Sequence, residues 1–197
     1  MGTLLVVLAS ALWGFIHSLT ASLRMKEAAR KTFGVRVMNG YRLFYNSFSV
    51  ITFLPILALT AWLPDVPLYT IPAPWVIITL ILQLSAVIVL IIGVFQTDVW
   101  SFIGLSQIMG RPSEGIIVTG GLYRYVRHPL YSAGLVFLWL TPLMTLNRFV
   151  LYLCLTLYIF IGVGFEERKL IREFGKDYLD YKARTPMVFP LPLRSKD

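Results

Sequence analysis

The stretch Gly121-Leu-Tyr-Arg-Tyr-Val-Arg-His-Pro-Leu-Tyr-Ser-Ala-Gly134 indicates most directly how this chain folds. In it, Arg124, Arg127 and His128 stand just before Pro129 and a long apolar segment. Arginine and histidine are costly inside hydrocarbon, whereas proline has no backbone N–H and suits the first turn of a helix. The stretch therefore predicts a helix that begins at a membrane surface. The plainest role of its charges is a basic interfacial anchor.

Composition extends this prediction to the whole chain. Of the 197 residues, 57% are hydrophobic and only 14% are charged, against roughly 25% charged residues in soluble domains. An α-helix needs about 20 apolar residues to cross a bilayer. Five stretches approach that length, and the last two are short enough to form a tilted hairpin: 3–23, 41–63, 74–97, 129–146 and 148–165. The sequence predicts an all-α integral membrane protein with five transmembrane helices.

The placement of positive charge predicts the orientation. The net charge of +8 lies in particular loops rather than on one polar face, so we expect no nucleic-acid partner. If the five segments alternate, one side receives all but one of the 18 lysines and arginines, and the other receives only Arg148. By the positive-inside rule the N-terminus is outside and the C-terminus cytosolic, as in a bacterial inner membrane. With only four spans, the basic first loop and the basic C-terminus would lie on opposite sides of the membrane, unless the last two segments enter and leave on one face.

The segments between and after these spans differ in character. The long cytosolic loop from Asp98 to Arg127 has room to wrap a ligand. After the fifth segment, apolar and aromatic residues recur at helical spacing from Phe165 to Tyr181, which predicts an amphipathic helix at the membrane interface. We expect a single domain, 1–197, made of a three-helix half, 1–97, and a second half, 98–197.

Several kinds of site are disfavoured. Gly120-Gly121 is not followed by the Lys-Ser/Thr of a phosphate-binding loop. The only two histidines, His17 and His128, lie on different segments, so no metal site is expected. Cys154 is the single cysteine, which excludes an intramolecular disulfide.

The acidic pair Glu166-Glu167 requires an explanation, because two carboxylates at the end of an apolar helix need partners. The expected partner of these carboxylates is the Arg127-His128 motif or a cationic ligand. Ordinary ion pairs with nearby basic residues of the same helix are the alternative.

The combined motifs resemble the isoprenylcysteine carboxyl methyltransferase superfamily of integral membrane enzymes. The resemblance covers about residues 107–190 and rests on Arg127-His-Pro-Leu-Tyr131, Glu166-Glu167 and Phe174-Gly-Lys-Asp-Tyr-Leu-Asp-Tyr181. It implies methyl transfer from S-adenosylmethionine, with the cofactor held by the second half of the chain. The cofactor-binding residues that it implies are Gln107, Gly115, Ile116, Ile117, Val118, Tyr123, His128, Pro129, Tyr131 and Glu166. Methyl transfer of this kind needs alignment and a dry pocket more than strong acid catalysis.

The first half of the chain is then expected to supply the site of the methyl acceptor. His17 lies about 10 Å inside the first segment and needs a polar partner. It is a possible general base for a thiol, or it hydrogen-bonds across helices without a catalytic role. Arg42, Tyr45 and Asn46 are possible acceptor-binding residues near the cytosolic surface, although an arginine there also commonly contacts lipid phosphate.

A second resemblance concerns the acceptor. The His-Ser pair at 17–18, followed by Arg-Leu-Phe-Tyr-Asn at 42–46, is similar to the branch that contains methanethiol S-methyltransferases and NnrU-like proteins. It implies a small or lipophilic thiol as acceptor. In the resembled family, isoprenylcysteine enzymes carry an arginine where this chain has Gly162. Methylation of an isoprenylcysteine carboxylate is therefore the alternative activity. Methylation of a lipid amine is a further alternative. A non-catalytic membrane scaffold or transport protein is the alternative of a different class. The sequence leaves the oligomeric state open.

Overall fold

The structure is a computed structural model that describes residues 1–110 and 115–190. Most of the chain is helical. The helices are α1 (Gly2–Ala21), α2 (Leu23–Phe33), α3 (Val35–Trp62), α4 (Trp75–Phe95), α5 (Val99–Ile103), α6 (Leu105–Ile108), α7 (Pro129–Trp139), α8 (Leu146–Phe174) and α9 (Lys176–Arg184). The strands β1 (Pro67–Thr70) and β2 (Leu143–Thr145) form a two-stranded sheet. A 3₁₀ turn covers Gly121–Arg124.

Four helices within the described ranges are long and apolar enough to cross a membrane: α1, α3, α4 and α8. Three of them match the predicted segments 3–23, 41–63 and 74–97. The predicted segment 129–146 instead forms only the 11-residue helix α7. Helix α7 stops before Thr141-Pro142, because a proline disfavours helical conformation in the preceding residue. The last segment is longer than predicted, since the charged residues after 165 continue helix α8 to Phe174.

The predicted amphipathic helix over 165–181 is divided in the structure. Helix α8 ends at Phe174, Gly175 adopts a φ of +55°, and α9 begins at Lys176. This backbone conformation is easily adopted only by glycine, so Gly175 separates the two helices. Tyr178 and Tyr181 of α9 are buried, whereas Asp177 and Asp180 are exposed. Location at a membrane interface remains a prediction.

The chain divides into two compact units, and each draws on separated parts of the sequence. Unit 1 comprises Met1–Leu68, Asp98–Glu114 and Met144–Leu155. Unit 2 comprises Tyr69–Thr97, Gly115–Leu143 and Thr156–Asp197. The division of one domain into halves 1–97 and 98–197 follows sequence order instead, and it stays a prediction.

Unit 1 is built on the packing of α1 against α3. Its buried core consists of Val6, Ile56 and Leu151. Polar contacts fix the start of α8 in the same unit: the Asp65 carboxylate accepts the backbone N–H of Asn147 at 2.9 Å, and the fully buried Asn147 amide accepts the Thr3 hydroxyl at 2.9 Å. An acceptor near a helix N-terminus satisfies one of its unpaired N–H groups.

Unit 2 is built on α4 and α7, which run side by side. At one end the Leu130 side chain packs against the backbone of Gly93, where an added Cβ would lie only 2.8 Å from it. Midway, the Gln83 amide donates to the carbonyl of Phe137 at 2.8 Å. Beyond α7, the N–H of Ile71 donates to the carbonyl of Pro142 at 2.8 Å.

Candidate cofactor site

The Arg-His-Pro motif in unit 2 is held through its backbone. Pro129 is the first residue of α7, where its missing N–H is not needed. The N–H groups of Arg127 and His128 donate to the carbonyls of Pro186 and Met187, at 2.9 and 3.0 Å. The segment after α9 therefore lies along the motif and satisfies backbone donors that a helix start cannot satisfy internally.

The side chain of Arg127 forms the centre of a buried ionic cluster. Its Nη2 atom lies 2.6 Å from Oε1 of Glu167, and its Nε donates to the same oxygen at 2.8 Å. The other Glu167 oxygen accepts from Lys182 Nζ at 2.6 Å. Arg127 also donates to the backbone carbonyls of Lys182 and Thr185. The negative charge of Glu167 is therefore neutralised by protein groups.

Glu166 is in a different environment, although it is the next residue on α8. Its side chain is 44% exposed, against 8% for Glu167. Its Oε2 accepts the Tyr131 hydroxyl at 3.0 Å and lies 3.8 Å from Nδ1 of His128. No lysine or arginine of the described ranges forms an ion pair with it. Glu166 thus offers a carboxylate to a ligand.

The geometry of His128 determines how its ring is protonated when neutral. Its Nε2 lies 3.4 Å from Oε1 of Glu167, and an ionised carboxylate can only accept, so Nε2 carries the proton. The lone pair is then on Nδ1, on the side of Glu166. Burial lowers the pKa of His128, although both glutamates act in the opposite direction. The ring of Tyr131 stacks on that of His128, with centroids 5.5 Å apart. Acceptor atoms of His128 and Glu166 therefore lie on one side, beside an aromatic ring.

Two buried tyrosines of α9, Tyr178 and Tyr181, belong to the same unit as this arrangement. Tyr181 donates to the backbone carbonyl of Tyr123 at 2.6 Å. Burial raises the pKa of Tyr178 and of Tyr181 to about 12, so both stay neutral at physiological pH. Burial also raises the pKa of Tyr123. Tyr181 therefore acts as a hydrogen-bond donor, and Tyr178 as a buried packing group.

The turn before the motif is fixed to the end of α4. Gly121 has a φ of +59°, and a Cβ there would lie 2.3 Å from the Gln96 amide nitrogen. The same Gln96 side chain accepts the N–H of Leu122 at 2.9 Å. Glycine at 121 therefore allows both the backbone conformation and the close approach.

The other residues implied for the cofactor lie in two places. Four of them lie in a segment of unit 2 without regular secondary structure: Gly115, Ile116, Ile117 and Val118. At Gly115 an added Cβ would lie 3.0 Å from the Glu173 carboxylate, so this segment runs close to the end of α8. Gln107 belongs instead to α6 of unit 1, where its amide donates to the Ser101 carbonyl at 3.4 Å.

The residues predicted for the acceptor all belong to unit 1. His17 lies between two hydroxyls of α3: its Nδ1 is 2.8 Å from Ser49 Oγ and its Nε2 is 2.5 Å from the Tyr45 hydroxyl. Asn46 donates to the carbonyls of Phe102 and Ile103, each at 3.0 Å. Its amide thus holds the end of α5.

Arg42 lies where α3 meets the turn between α5 and α6. A Cβ at Gly104, whose φ is +106°, would lie 3.1 Å from the Arg42 Cβ. The charges of Arg42 and Asp98 attract each other. The guanidinium therefore has an acidic neighbour within unit 1.

Sequence reasoning missed several residues that organise both clusters. Arg127, Lys182 and Gln96 were not assigned a role in the cofactor site, and Ser49 was not recognised as a partner of His17. Tyr45 and Ser49 are four residues apart on one helix and therefore share a face, so their spacing could have indicated that both contact the same partner. The pairing of Arg127 with the acidic pair was one of the sequence alternatives, and the structure shows it with Glu167. The contacts of this cluster with Lys182 and Thr185 come from a distant segment, so no local pattern indicates them.

Comparison with known proteins identifies the chain in two steps. The four long apolar helices of the described ranges first define a helical integral membrane protein. The family described as "NnrU protein" matches residues 5–189. The chain therefore belongs to the NnrU family, and the resemblance inferred from its motifs is confirmed.

The curated relatives are methyltransferases by name. The chain is 48% identical over 69 residues to methanethiol S-methyltransferase 2 of Bradyrhizobium diazoefficiens, which covers 35% of this chain and 27% of that protein. It is 33% identical over 106 residues to methanethiol S-methyltransferase of Pseudomonas deceptionensis, covering 51% and 40%. It is 32% identical over 130 residues to protein-S-isoprenylcysteine O-methyltransferase of Schizosaccharomyces pombe, covering 54% of each. The chain thus spans about half or less of the length of these relatives. No solved structure matches it.

Proposed function

We propose that this protein is an S-adenosylmethionine-dependent membrane methyltransferase whose acceptor is a small or lipophilic thiol. One observation carries the proposal: of two consecutive glutamates, Glu167 is neutralised by Arg127 and Lys182, while Glu166 keeps an exposed carboxylate. The named activities of the curated relatives support the reaction class.

The residues present fit the cofactor. When bound, S-adenosylmethionine supplies an electrophilic methyl group on a sulfonium, and it also carries an ammonium group. The carboxylate of Glu166 and the Nδ1 lone pair of His128 are both acceptors, as an ammonium requires. Tyr131 donates to Glu166 and so holds this carboxylate in place. Aromatic rings near the site also favour a cation.

The remaining residues implied for the cofactor extend this proposal. Tyr123 and Pro129 lie on either side of Arg127 and His128, and the segment 115–118 leads into them. We assign these residues to the wall of the cofactor pocket. Gln107 is proposed as an additional contact, on the resemblance alone.

Unit 1 supports an apolar acceptor. A cleft of about 190 Å³ between α1 and α3 is lined by apolar residues, including Trp13 and Ile16, and its one hydroxyl is that of Thr52. Trp13 also stacks on His17, with ring centroids 4.8 Å apart. A short alkyl chain suits this cleft, with its polar atom toward His17. Arg42, Tyr45 and Asn46 are proposed to bound the acceptor site on α3.

The packing of unit 2 supports a fifth membrane crossing. The 11 residues of α7 rise only about 16 Å. Residues 130–142 nevertheless extend along α4, from the contact of Leu130 with Gly93 to the hydrogen bond between Pro142 and Ile71, which lies four residues before α4. We therefore propose five crossings, with the N-terminus outside, the C-terminus cytosolic, and the cofactor site facing the cytosol of a bacterial inner membrane.

Calorimetric titration of S-adenosylmethionine and of its demethylated product into the purified protein tests the cofactor site. Glu166→Gln should weaken binding at least tenfold. Asp180→Asn is the control, because Asp180 is an exposed carboxylate of unit 2 that lies on α9. Equal affinity in the wild type and Glu166→Gln would remove Glu166 from the site. No binding to a folded wild-type protein would favour a non-catalytic scaffold.

A second candidate is methylation of an isoprenylcysteine carboxylate, which the S. pombe relative favours. An added Cβ at Gly162 would meet no atom within 4 Å, so this position has room for a larger side chain. Turnover of prenylated cysteine in preference to small thiols would select this alternative.

A further inference from the structure

A pocket of unit 2, which we call the arginine pocket, lies where the 3₁₀ turn meets the end of α9. Its volume is about 320 Å³, near the lower end of the range for small-ligand sites. It is lined by Thr119, Arg124, Tyr181, Arg184 and Thr185. None of the residues assigned above to the cofactor lines it, so the two sites use different side chains.

Hydrogen bonds join the two walls of the arginine pocket. The Tyr181 hydroxyl donates at 2.6 Å to the carbonyl of the residue before Arg124. The Thr185 carbonyl, one residue after Arg184, accepts from the side chain of Arg127. Each lining arginine therefore stands next to a contact between the walls, so the pocket does not need a ligand to form.

The lining of the pocket is positively charged. Among the described residues it contains no aspartate or glutamate, and neither Arg124 nor Arg184 forms an ion pair there. Burial raises the pKa of Tyr181 to about 12, although the charges of Arg127 and Arg184 oppose this rise. The Arg184 guanidinium therefore lies close to the Tyr181 hydroxyl. Two like charges that line one pocket repel each other, and an anion between them removes this cost.

The polar groups of the lining favour phosphate over other anions. A guanidinium matches two phosphate oxygens with parallel N–H groups. The hydroxyl hydrogen of Tyr181 is already donated to a backbone carbonyl, so the remaining hydroxyl donors are Thr119 and Thr185. Two guanidinium groups and two hydroxyls offer more donors than the two oxygens of a carboxylate require. A phosphate monoester carries three free oxygens and about two negative charges.

We propose that the arginine pocket binds a phosphate group, held by the guanidinium groups of Arg124 and Arg184. The proposal goes beyond methyl transfer and does not depend on it. The pocket has about ten times the volume that a water molecule occupies in the liquid, so it also has room for a small group attached to the phosphate. Two sources share this chemistry: the headgroup of an anionic lipid, and a soluble phosphate compound.

Calorimetric titration of inorganic phosphate into the chain, purified in a phosphate-free maltoside detergent without S-adenosylmethionine, tests the site. Arg124→Gln and Arg184→Gln should each weaken binding by about tenfold or more, because each removes charge-assisted hydrogen bonds. Both arginines are exposed, so the variants should fold, and their melting temperatures check this.

Arg172→Gln is the matched control, because Arg172 is an exposed arginine of unit 2 that does not line the pocket. It removes the same charge, and at physiological ionic strength it should change the affinity by less than about twofold, since distant surface charges are screened. Equal losses in all three variants would show attraction by net charge alone and overturn the inference.

Native mass spectrometry of the same preparation, with phosphatidylglycerol or phosphatidylcholine added, distinguishes the two sources. Retention of phosphatidylglycerol over phosphatidylcholine, lost in Arg124→Gln and Arg184→Gln but kept in Arg172→Gln, would assign the phosphate to a lipid headgroup. Binding of inorganic phosphate without such retention would assign it to a soluble compound. A folded wild-type protein that binds neither probe would overturn the inference.

Glu166→Gln separates this inference from the proposed function. The variant is expected to lose cofactor affinity, but Glu166 does not line the arginine pocket, so its phosphate affinity should stay within about twofold of the wild type. A wild-type protein that binds phosphate but no S-adenosylmethionine would support the pocket and contradict only the proposed function. Loss of both affinities in Glu166→Gln would show that phosphate occupies the cofactor site, and it would overturn the inference.

Discussion

Arg127 and Glu167 are joined across 40 residues of sequence by a buried ion pair, with Nη2 and Oε1 2.6 Å apart. Their side chains are only 7% and 8% exposed. Burying such charges is costly unless they are paired, and here Lys182 and two backbone carbonyls complete the set. The pair therefore forms the buried side of this ionic cluster and leaves the Glu166 carboxylate partly exposed.

Removing one partner of this pair should destabilise the protein. Glu167→Ala leaves the buried Arg127 without its carboxylate, and we expect a loss of about 3 kcal/mol in the free energy of unfolding. Denaturant unfolding of the detergent-purified protein measures this loss. Glu173→Ala, on the exposed part of the same helix, should cost less than about 0.5 kcal/mol. Similar losses in both variants would contradict the structural role of Glu167.

Tyr131→Phe should weaken cofactor binding without unfolding the site. The variant keeps the ring that stacks on His128 but loses the hydrogen bond to Glu166. A hydrogen bond of this kind contributes about 1 kcal/mol, which corresponds to roughly fivefold in affinity. Calorimetry gives the affinity, and an unchanged melting temperature serves as the check on folding. An unaltered affinity would mean that the orientation of Glu166 does not matter.

Stability should fall as the pH is lowered below the ordinary pKa of histidine, about 6.5. Burial lowers the pKa of His128 in the folded protein, so the unfolded state binds more protons below pH 6.5. The contribution of neutral His128 is therefore fully present above that pH. It is lost progressively as the pH falls toward the lowered pKa of the folded state.

Melting temperatures of the wild type and His128→Gln between pH 8 and 5 measure this effect. The wild type should lose more stability over this range, because glutamine does not titrate. Parallel curves would show that His128 titrates alike in the folded and unfolded states.

Gly121→Ala should be destabilising, whereas Gly120→Ala should not. Alanine at 121 meets a φ of +59° and displaces Gln96 from its bond to Leu122, which we expect to cost about 1–2 kcal/mol. A Cβ at 120 meets no atom within 4 Å, and its φ of −94° suits any residue. The free energies of unfolding of the two variants, each compared with that of the wild type, test this prediction. Equal values would mean that the turn is not fixed by Gln96.

Sequence predicted the membrane class and four of the spans, including segment 148–165 within α8, because long apolar runs have few alternatives. It did not predict the short α7, since apolar composition continues through Pro142 although the helix ends at Trp139. Only the family resemblance assigned Glu166 rather than Glu167 to the cofactor, because the two residues are chemically identical neighbours. Their difference arises only when α9 brings Lys182 and the segment near Thr185 to Arg127.

The acceptor-side residues illustrate a similar limit. The depth of His17 in an apolar segment correctly indicated a need for polar partners. Its tautomer, however, depends on where one serine hydroxyl points, and that hydroxyl bonds the backbone of its own helix. Such a preference is decided by three-dimensional geometry alone.

The backbone bonds from Arg127 and His128 to Pro186 and Met187 have a consequence for biosynthesis. Nearly sixty residues separate the donors from their acceptors, so the ribosome must complete α8 and α9 before the motif can close. During that interval the first apolar helices have already left the ribosome, while the proposed cofactor site is still incomplete. On the proposed function, cofactor binding is therefore among the last properties that the nascent chain acquires.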